Sequence, residues 1–251
     1  MTIKAYRGKG VVSAGLFSSG ENFAARTLFP LGNASDFAFS FEIDKQTIPN
    51  FQNAAGGDAA AIIRVSSFNG TIALRELSDT NLAMLLAGTT TAKNATAIVG
   101  ESGYKIVPSA FIRTSRLIDT AVEPVVKKGA TTILAADYSV NPGGITISPT
   151  ITTGSVASGD AITIDYTPKL SHKVQPLLTT PVDYSLSFVG YNEADGKSLI
   201  VDVYKLKFSP PRNIQLIGTD FFSAECDFTA VADPTIVGAG LSQYANIEVE
   251  D

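Results

Sequence analysis

Acidic side chains at alternating positions are the residues of this sequence whose types and spacing could support chemistry. Glu42, Asp202, Glu225 and Asp227 each lie between apolar or small residues. Two facing carboxylates can act as acid and base in hydrolysis. More often, carboxylates at every second position form the solvated face of a β-sheet, which becomes an inner wall where sheets close into a ring. We take these four residues as a candidate polar face of a β-sheet.

Other motifs that could carry chemistry are incomplete. Gly196-Lys197-Ser198 resembles the end of a phosphate-binding loop, but Tyr191 stands where the motif needs its first glycine, so a hairpin turn is favoured. The single histidine, His172, and the single cysteine, Cys226, exclude sites built on several imidazoles or thiolates. Cys226 alternates with Ala224 and Phe228, which favours a small buried residue. We predict no catalytic, cofactor-binding or metal-binding residue, and no enzyme.

The composition of the chain argues for contacts with protein rather than with nucleic acid or membrane. Charged residues make up 17% of the 251 residues, against about 25% in an average domain. The net charge of −5 argues against tight binding to a phosphate backbone. No run of about 18 apolar residues and no secretion signal is present, which predicts a protein made in the cytoplasm without a membrane partner.

The dominant hydrophobic period is two, which predicts β-strands. Phe37, Phe39, Phe41 and Ile43 would share one face of a strand. Residues 61–68 and 71–76 flank Asn69-Gly70, a dipeptide typical of a tight hairpin turn. Residues 184–190 and 198–208 predict a second hairpin with Asp195-Gly196 in its turn. These patterns indicate antiparallel pairing.

One segment predicts a helix. Ser78 or Asp79 would cap its N-terminus, Thr80 to Ala87 would form it, and Gly88 would end it. Its leucines at three- and four-residue spacing would be buried together with the preceding one; they are Leu77, Leu82, Leu85 and Leu86. The expected fold is therefore mainly β: an antiparallel β-sandwich or partial barrel with one flanking α-helix at about 78–87.

The chain is expected to form a single domain over residues 1–251. Residues 119–170 differ from the rest in their pattern, since short predicted strands alternate with Gly, Pro, Ser and Asn. This pattern predicts an inserted β-hairpin or small β unit. Residues 1–20 are interpreted as an extended N-terminal arm.

Several segments together resemble the tail tube (major tail) proteins of tailed bacteriophages with long non-contractile tails. The resemblance is carried by residues 31–42, 74–88, 191–210 and 232–238, and it rests on pattern and on the order of elements. It implies the tail-tube fold and assembly into hexameric rings that stack into a hollow tube for DNA ejection. Pairing sheet edges between neighbours in a ring would remove the exposed edges of such a sheet.

The resemblance also implies a set of partners and a location. The chain would bind copies of itself, a tape-measure protein, and tail-tip and terminator proteins, and it would reside in the virion after synthesis in the host cytoplasm. Genomic DNA would pass through the lumen without tight binding, since an acidic wall repels phosphates. Glu42, Asp202, Glu225 and Asp227 are the candidate lumen-facing residues.

Three alternative functions remain open at the level of sequence, one of them within the same structural class. The tube protein of a contractile tail or injection system uses a related fold. A monomeric immunoglobulin-like or carbohydrate-binding module would also show many short strands. The absence of Trp argues against sugar stacking. A hydrolase would rest on the scattered carboxylates alone.

Overall fold

A computed structural model describes residues 5–52, 57–180, 182–211 and 213–251. The described chain is mainly β, with antiparallel sheets, no closed barrel and one α-helix, α1 (Asp79–Leu85), which confirms the predicted fold class. In chain order the strands are β1 (Gly8–Leu16), β2 (Phe29–Pro30), β3 (Ala34–Pro49), β4 (Asp58–Leu74), β5 (Thr89–Lys93), β6 (Ile98–Lys105), β7 (Phe111–Arg113), β8 (Val125–Lys128), β9 (Thr131–Thr132), β10 (Tyr138–Asn141), β11 (Gly144–Ile147), β12 (Ala161–Tyr166), β13 (Ser171–Gln175), β14 (Tyr184–Asn192), β15 (Ser198–Phe208), β16 (Ala224–Ala230) and β17 (Ala245–Val249).

The chain forms two compact units. The first consists of Met1–Thr90 and Val174–Asp251, and the second of Thr91–Lys173. The sequence predicted one domain with an insertion at 119–170, whereas the separate unit begins at Thr91. The reason is that β6 and β7, which precede residue 119, pair with β12 and β11 of the second unit.

An eight-stranded sheet, called the main sheet here, organises the first unit. Its order is β2-β1-β14-β15-β16-β4-β3, and β17 also pairs with β15. The core lies on one face of the main sheet because alternate residues of each strand are apolar. Phe228 is at its centre, with ring centroids of Phe37, Phe39 and Phe208 between 6.1 and 6.2 Å away. The fully buried members of the core are Ile72, Leu74, Leu186, Val203, Leu206, Ala224 and Phe228.

Residues 8–16, within the predicted N-terminal arm, are a full strand of the main sheet. β1 pairs with β14 from Gly8 opposite Asn192 to Leu16 opposite Tyr184. Val12 and Ala14 are buried in the core. This segment is therefore held by a ladder of backbone hydrogen bonds and by packing, rather than projecting as an arm.

The helix begins where the sequence predicted. The Ser78 hydroxyl accepts a hydrogen bond from the Asn81 amide at 3.1 Å, as an N-cap does. The helix ends at Leu85, two residues earlier than predicted, and Ala87 adopts the left-handed conformation with φ of 45°. Leu85 is buried as expected, but Leu77 is 50% exposed because it precedes the cap and lies off the packed face.

The predicted turn at Asn69-Gly70 is wrong, and this dipeptide lies inside β4. Gly70 pairs with Phe39 of β3 on one side and with Phe228 of β16 on the other. A Cβ at Gly70 would lie 2.2 Å from Cζ of Phe228 and 2.7 Å from the Ala38 carbonyl oxygen. The glycine is needed for the close approach of an aromatic ring, not for a turn.

The hairpin predicted around Asp195-Gly196 is confirmed. β14 and β15 pair in antiparallel register from Tyr191 opposite Ser198 inward. Gly196 has φ of 76°, and its amide donates to the Asn192 carbonyl at 2.8 Å. The glycine supplies the left-handed conformation that this turn requires.

The second unit has its own core between two small sheets. Their strand orders are β10-β11-β7 and β6-β12-β8-β9. Ile118, Val126, Ile145 and Ile164 are fully buried between them. Asp137 is buried nearby, and its carboxylate accepts hydrogen bonds from the backbone amides and hydroxyls of two successive threonines, Thr152 and Thr153.

The chain crosses between the units twice, at residues 90–91 and 173–174. The strands at these crossings, β5 and β13, pair with each other as a two-stranded sheet.

Candidate assembly surfaces

The four acidic residues predicted from sequence lie on one face of the main sheet, opposite the core; we call it the outer face. On β16, Ala224, Cys226 and Phe228 are buried, so Glu225 and Asp227 lie on the outer face. Asp202 lies between the buried Val201 and Val203 of β15. Glu42 alternates with the phenylalanines of β3 that face the core. Period-two alternation therefore placed all four on a common face.

The structure brings two of these four residues together and adds a third acid. Ala73 of β4 is paired with Asp36 on one side and with Glu225 on the other, so these acids are two strand spacings apart, about 10 Å. Asp227 lies two residues along β16 from Glu225. We call Asp36, Glu225 and Asp227 the acidic cluster. Asp36 was missed because the alternation considered on β3 began at Phe37, one residue later.

A polar ladder continues the acidic cluster along the same face. Thr229 Oγ1 donates to Asn69 Oδ1 at 2.9 Å, and Asn69 Nδ2 donates to Ser67 Oγ at 2.9 Å. Lys207 of β15 is paired with Thr229. The outer face of β3, β4 and β16 is thus hydrophilic and carries its negative charge at the end nearest Ala73.

Asp202 and Glu42 lie apart from the acidic cluster. Glu42 is opposite Ser67, which lies two residues from Asn69 along β4. Asp202 accepts a hydrogen bond of 2.6 Å from the Ser187 hydroxyl. Burial raises the pKa of Asp202, the hydrogen bond from Ser187 lowers it, and the nearby Glu248 raises it again, leaving it above its ordinary value. The four predicted residues therefore share a face without forming one site.

Part of the outer face, over β14 and β15, is covered by a buried ion pair. Arg26 Nη2 lies 2.6 Å from Asp233 Oδ2, and both side chains are fully buried. Arg26 Nη1 also donates to Ser185 Oγ at 3.0 Å and to the Tyr204 carbonyl oxygen at 2.5 Å. The pair fixes the segment after β1 and the segment after β16 to the same pair of strands.

Hydrogen bonds keep the Asp233 carboxylate ionised despite its burial. Burial by itself raises the pKa of Asp233, but hydrogen bonds from Thr235 and Arg26 outweigh it, so the pKa lies below its ordinary value. Both the amide and the hydroxyl of Thr235 donate to Asp233 Oδ1, at 3.0 and 2.7 Å. Asp233 is therefore a charged structural residue.

A two-stranded hairpin extends beyond the main sheet. β3 and β4 are paired from Ala34 opposite Leu74 to Pro49 opposite Asp58, but β16 pairs with β4 only over residues 69–74. Residues 58–65 of β4 alone span roughly 25 Å at about 3.4 Å per residue. The hairpin thus projects well past the strands that hold its base.

One face of the projecting hairpin carries four exposed apolar side chains, together with Lys45 opposite Ile63. Phe41, Ile43, Ile63 and Val65 are 58–64% exposed, and we call them the hairpin stripe. Ile43 is directly opposite Val65, so their side chains share a face that continues the core-facing side of β3. Exposed apolar residues that are contiguous mark an interaction surface more often than isolated ones do.

Both ends of the main sheet present strand edges. At one end β3 is paired with β4 alone, and at the other β1 is paired on its outer side by β2 only at Ser13 and Ala14, within the residues that the structure describes. Unpaired backbone donors and acceptors of this kind accept another strand. The two edges lie at opposite ends of the strand order.

The remaining motifs carry no site. Cys226 is 1% exposed, as predicted, and burial raises the pKa of its thiol to about 12. His172 is exposed on β13. Across the described parts of the chain, no group of three or more His, Cys, Asp or Glu residues has an arrangement that could hold a metal ion. No helix in those parts is long and apolar enough to cross a membrane.

Comparison with protein families places the chain in one of them. The family model described as Protein of unknown function UCP028589 matches residues 5–248, and the chain belongs to this family. No curated protein matches the sequence.

Proposed function

We propose that this chain is a structural virion protein that assembles into stacked hexameric rings, forming the hollow tube of a long non-contractile bacteriophage tail. Genomic DNA passes through the tube during ejection. A tape-measure protein occupies the tube before ejection, and tail-tip and terminator proteins bound its ends. The protein has no catalytic activity in this role.

The observation that carries the proposal is the pair of free edges on the main sheet. An edge on β3 and an edge on β1 differ from each other, so pairing one with the other on a neighbouring copy is head-to-tail. A repeated head-to-tail contact closes into a ring when its rotation permits. Ring closure of this kind pairs the free edges of β1 and β3, as closure of a single-chain barrel pairs its first and last strands.

The hairpin and the acidic cluster support the same function. A hairpin that projects beyond the sheet with an apolar stripe requires a covering surface, which a neighbouring ring supplies. The acidic cluster gives one sheet face a negative charge. Under this proposal that face lines the tube, where it repels the phosphates of DNA and permits sliding.

Electron microscopy of the purified protein over a range of concentrations tests the proposal. We expect rings and hollow filaments, with the acidic cluster on the inner wall in a reconstruction. Ile43→Glu with Ile63→Glu places two charges in the hairpin stripe and should abolish filaments. Val99→Glu, at a residue 79% exposed in the second unit, is the matched control and should assemble as the wild type does.

Three results would contradict the proposal. Particles that stay monomeric at all concentrations, with and without a tail-tip nucleus, would favour a binding module. Turnover of ester, glycoside or phosphate substrates that a single Asp or Glu substitution abolishes would indicate an enzyme. A tube that assembles only with a sheath protein would point to the contractile class.

A further inference from the structure

An uncharged slot opens between β17 and β4 in the first unit. It is a cavity of about 650 Å³ that is open to solvent. Its aromatic lining residues are Phe39, Phe41, Phe68 and Tyr244, and aliphatic and hydroxyl side chains supply the rest. No lining residue is charged. We call this cavity the apolar slot.

The slot exists because β16 and β17 share one position in the main sheet. β16 pairs with residues 206–208 of β15, and β17 pairs with residues 199–203 on the same side of β15. β4 follows β16 but is not paired with β17. In the described part of the chain, residues 58–68 of β4 therefore have a strand neighbour on one side only, and the space beside them is the slot.

At the other end of β16, a loop presents apolar side chains to solvent. Leu216, Ile217 and Phe221 are 76%, 93% and 94% exposed. We call these three residues the loop tip. Asp220 is the only charged residue in the segment 213–222. Ile214 forms a bridge with Ala224, the first residue of β16, which anchors the loop at that end of the strand.

The loop tip and the slot lie at opposite ends of the same strand. The loop is anchored beside Ala224, whereas Ala230, the last residue of β16, lines the slot. Six residues of extended chain separate them by roughly 20 Å. A contact between the loop tip and a slot on another copy would place successive copies end to end along the strand direction.

We propose that the loop tip of one copy inserts into the apolar slot of a second copy. This contact deepens the proposed function, since it assigns surfaces to the stacking of copies. An uncharged cavity excludes charged occupants, because burying a charge there would cost its hydration. The loop tip offers the matching chemistry, since its side chains are apolar and its segment carries a single charge.

The size of the contact fits cumulative assembly rather than an isolated dimer. Three large apolar side chains bury on the order of 450 Å², whereas a stable pair of proteins buries about 800 Å² per partner. A single contact is therefore weak. Because the contact is head-to-tail, it repeats along a stack, and every copy in a ring contributes one.

Cross-linking between two differently substituted chains tests this contact. One chain carries Ile217→Cys in the loop tip, and a tagged chain carries Ile247→Cys in the slot lining. The native Cys226 gives little background, since it is buried and its pKa is raised to about 12. With a short bismaleimide, we expect a covalent product containing both chains in the mixture only. Cross-links between two Ile217→Cys chains, or none in the mixture, would refute the contact.

Substitution of the loop tip separates this inference from the proposed function. Leu216→Ser with Ile217→Ser and Phe221→Ser alters exposed residues, so the fold is retained. We expect the concentration needed for stacking to rise on the order of 1,000-fold or more, which corresponds to about 4 kcal/mol, since the burial of three large apolar side chains is lost. Val99→Ser with Leu170→Ser, at residues 79% and 77% exposed in the second unit, is the control.

The outcomes of the two experiments are distinct. If the triple variant stacks like the wild type, the contact is wrong and the tube function stands. If the mixed cross-link forms but electron microscopy shows chains of copies without rings, the contact stands and the tube function fails.

Discussion

Removing Arg26 should release the two segments that cover the outer face of β14 and β15. In Arg26→Met, the side chain keeps much of its apolar length but loses its charge and four hydrogen bonds. Asp233 then remains as a buried carboxylate with only the Thr235 donors. Breaking one partner of a buried ion pair is costly because the other charge is left uncompensated.

The hydrogen bonds around Arg26 indicate where the cost arises. The Tyr204 carbonyl keeps a donor after the substitution, since the Ser185 hydroxyl donates to it at 2.9 Å. The loss is therefore concentrated on Asp233. Buried pairs broken in this way lose about 3–5 kcal/mol. About 1.4 kcal/mol corresponds to a factor of ten in an equilibrium constant. Local opening should therefore become about 100-fold to a few thousand-fold more frequent.

Hydrogen exchange measured by mass spectrometry reports this opening segment by segment. We expect amides in residues 17–27 and 231–244 to exchange faster in Arg26→Met, while amides of the second unit keep their wild-type rates. Lys45→Met is the matched control, since the Lys45–Asp58 pair is 3.2 Å long and about half exposed. Exposed pairs contribute about 0–1 kcal/mol, so this control should change little.

A double variant isolates the charge. Arg26→Met with Asp233→Asn removes both charges and keeps an acceptor for Thr235, so it should exchange more slowly in residues 231–244 than Arg26→Met alone. Exchange in Arg26→Met that matches the Lys45→Met control, or a double variant that opens by the product of the two single effects, would refute the reasoning.

Two further predictions concern stability. The hydrogen bond from Thr153 is the main cause that lowers the pKa of Asp137 from 3.8 in the unfolded chain to about 2 in the fold. The ionised Asp137 therefore stabilises the fold fully above pH 3.8, and this stabilisation is lost as the pH falls through about 2. The difference in Tm between the wild type and Asp137→Asn should therefore shrink from about pH 5 to pH 2; a constant difference would contradict this assignment. Gly70→Ala should destabilise the first unit by about 1–3 kcal/mol in urea because its Cβ overlaps Phe228, whereas Gly154→Ala, with open space around it, should be nearly neutral; equal effects would refute the close approach.

Local patterns in the sequence predicted the elements whose cause is local. The turn at Asp195-Gly196 needs a left-handed glycine between two alternating runs, and all of that information lies within a few residues. The cap at Ser78 is equally local. Asn69-Gly70 carries the same signature as a turn, but Gly70 is needed because Phe228 packs on it from 158 residues away in the chain. The dipeptide alone therefore could not predict that contact.

For the candidate surfaces too, the sequence predicted the features with a local cause and missed those that depend on long-range pairing. Alternation along each strand predicted the face on which Glu225 and Asp227 lie. It did not predict that β4 separates them from Asp36, because strand order and register arise from long-range pairing. The apolar slot depends on the end of β16 and the return of the chain as β17, which no periodicity shows.

The sign of the charge on the outer face bears directly on the proposed tube. On the outer face over residues 34–42 of β3, 67–74 of β4 and all of β16, the charged side chains are acidic: Asp36, Glu42, Glu225 and Asp227. The basic Arg64 lies farther along the hairpin, opposite Asp44, and Lys207 lies on the neighbouring β15. A ring built to hold DNA would present lysines and arginines there, and each phosphate contact would slow passage. An acidic wall keeps the phosphates at a distance, where water and counterions separate them from the protein. Under the proposed function, the sign of the charge on the inner wall, rather than the shape of the ring, therefore determines that DNA slides through instead of being held.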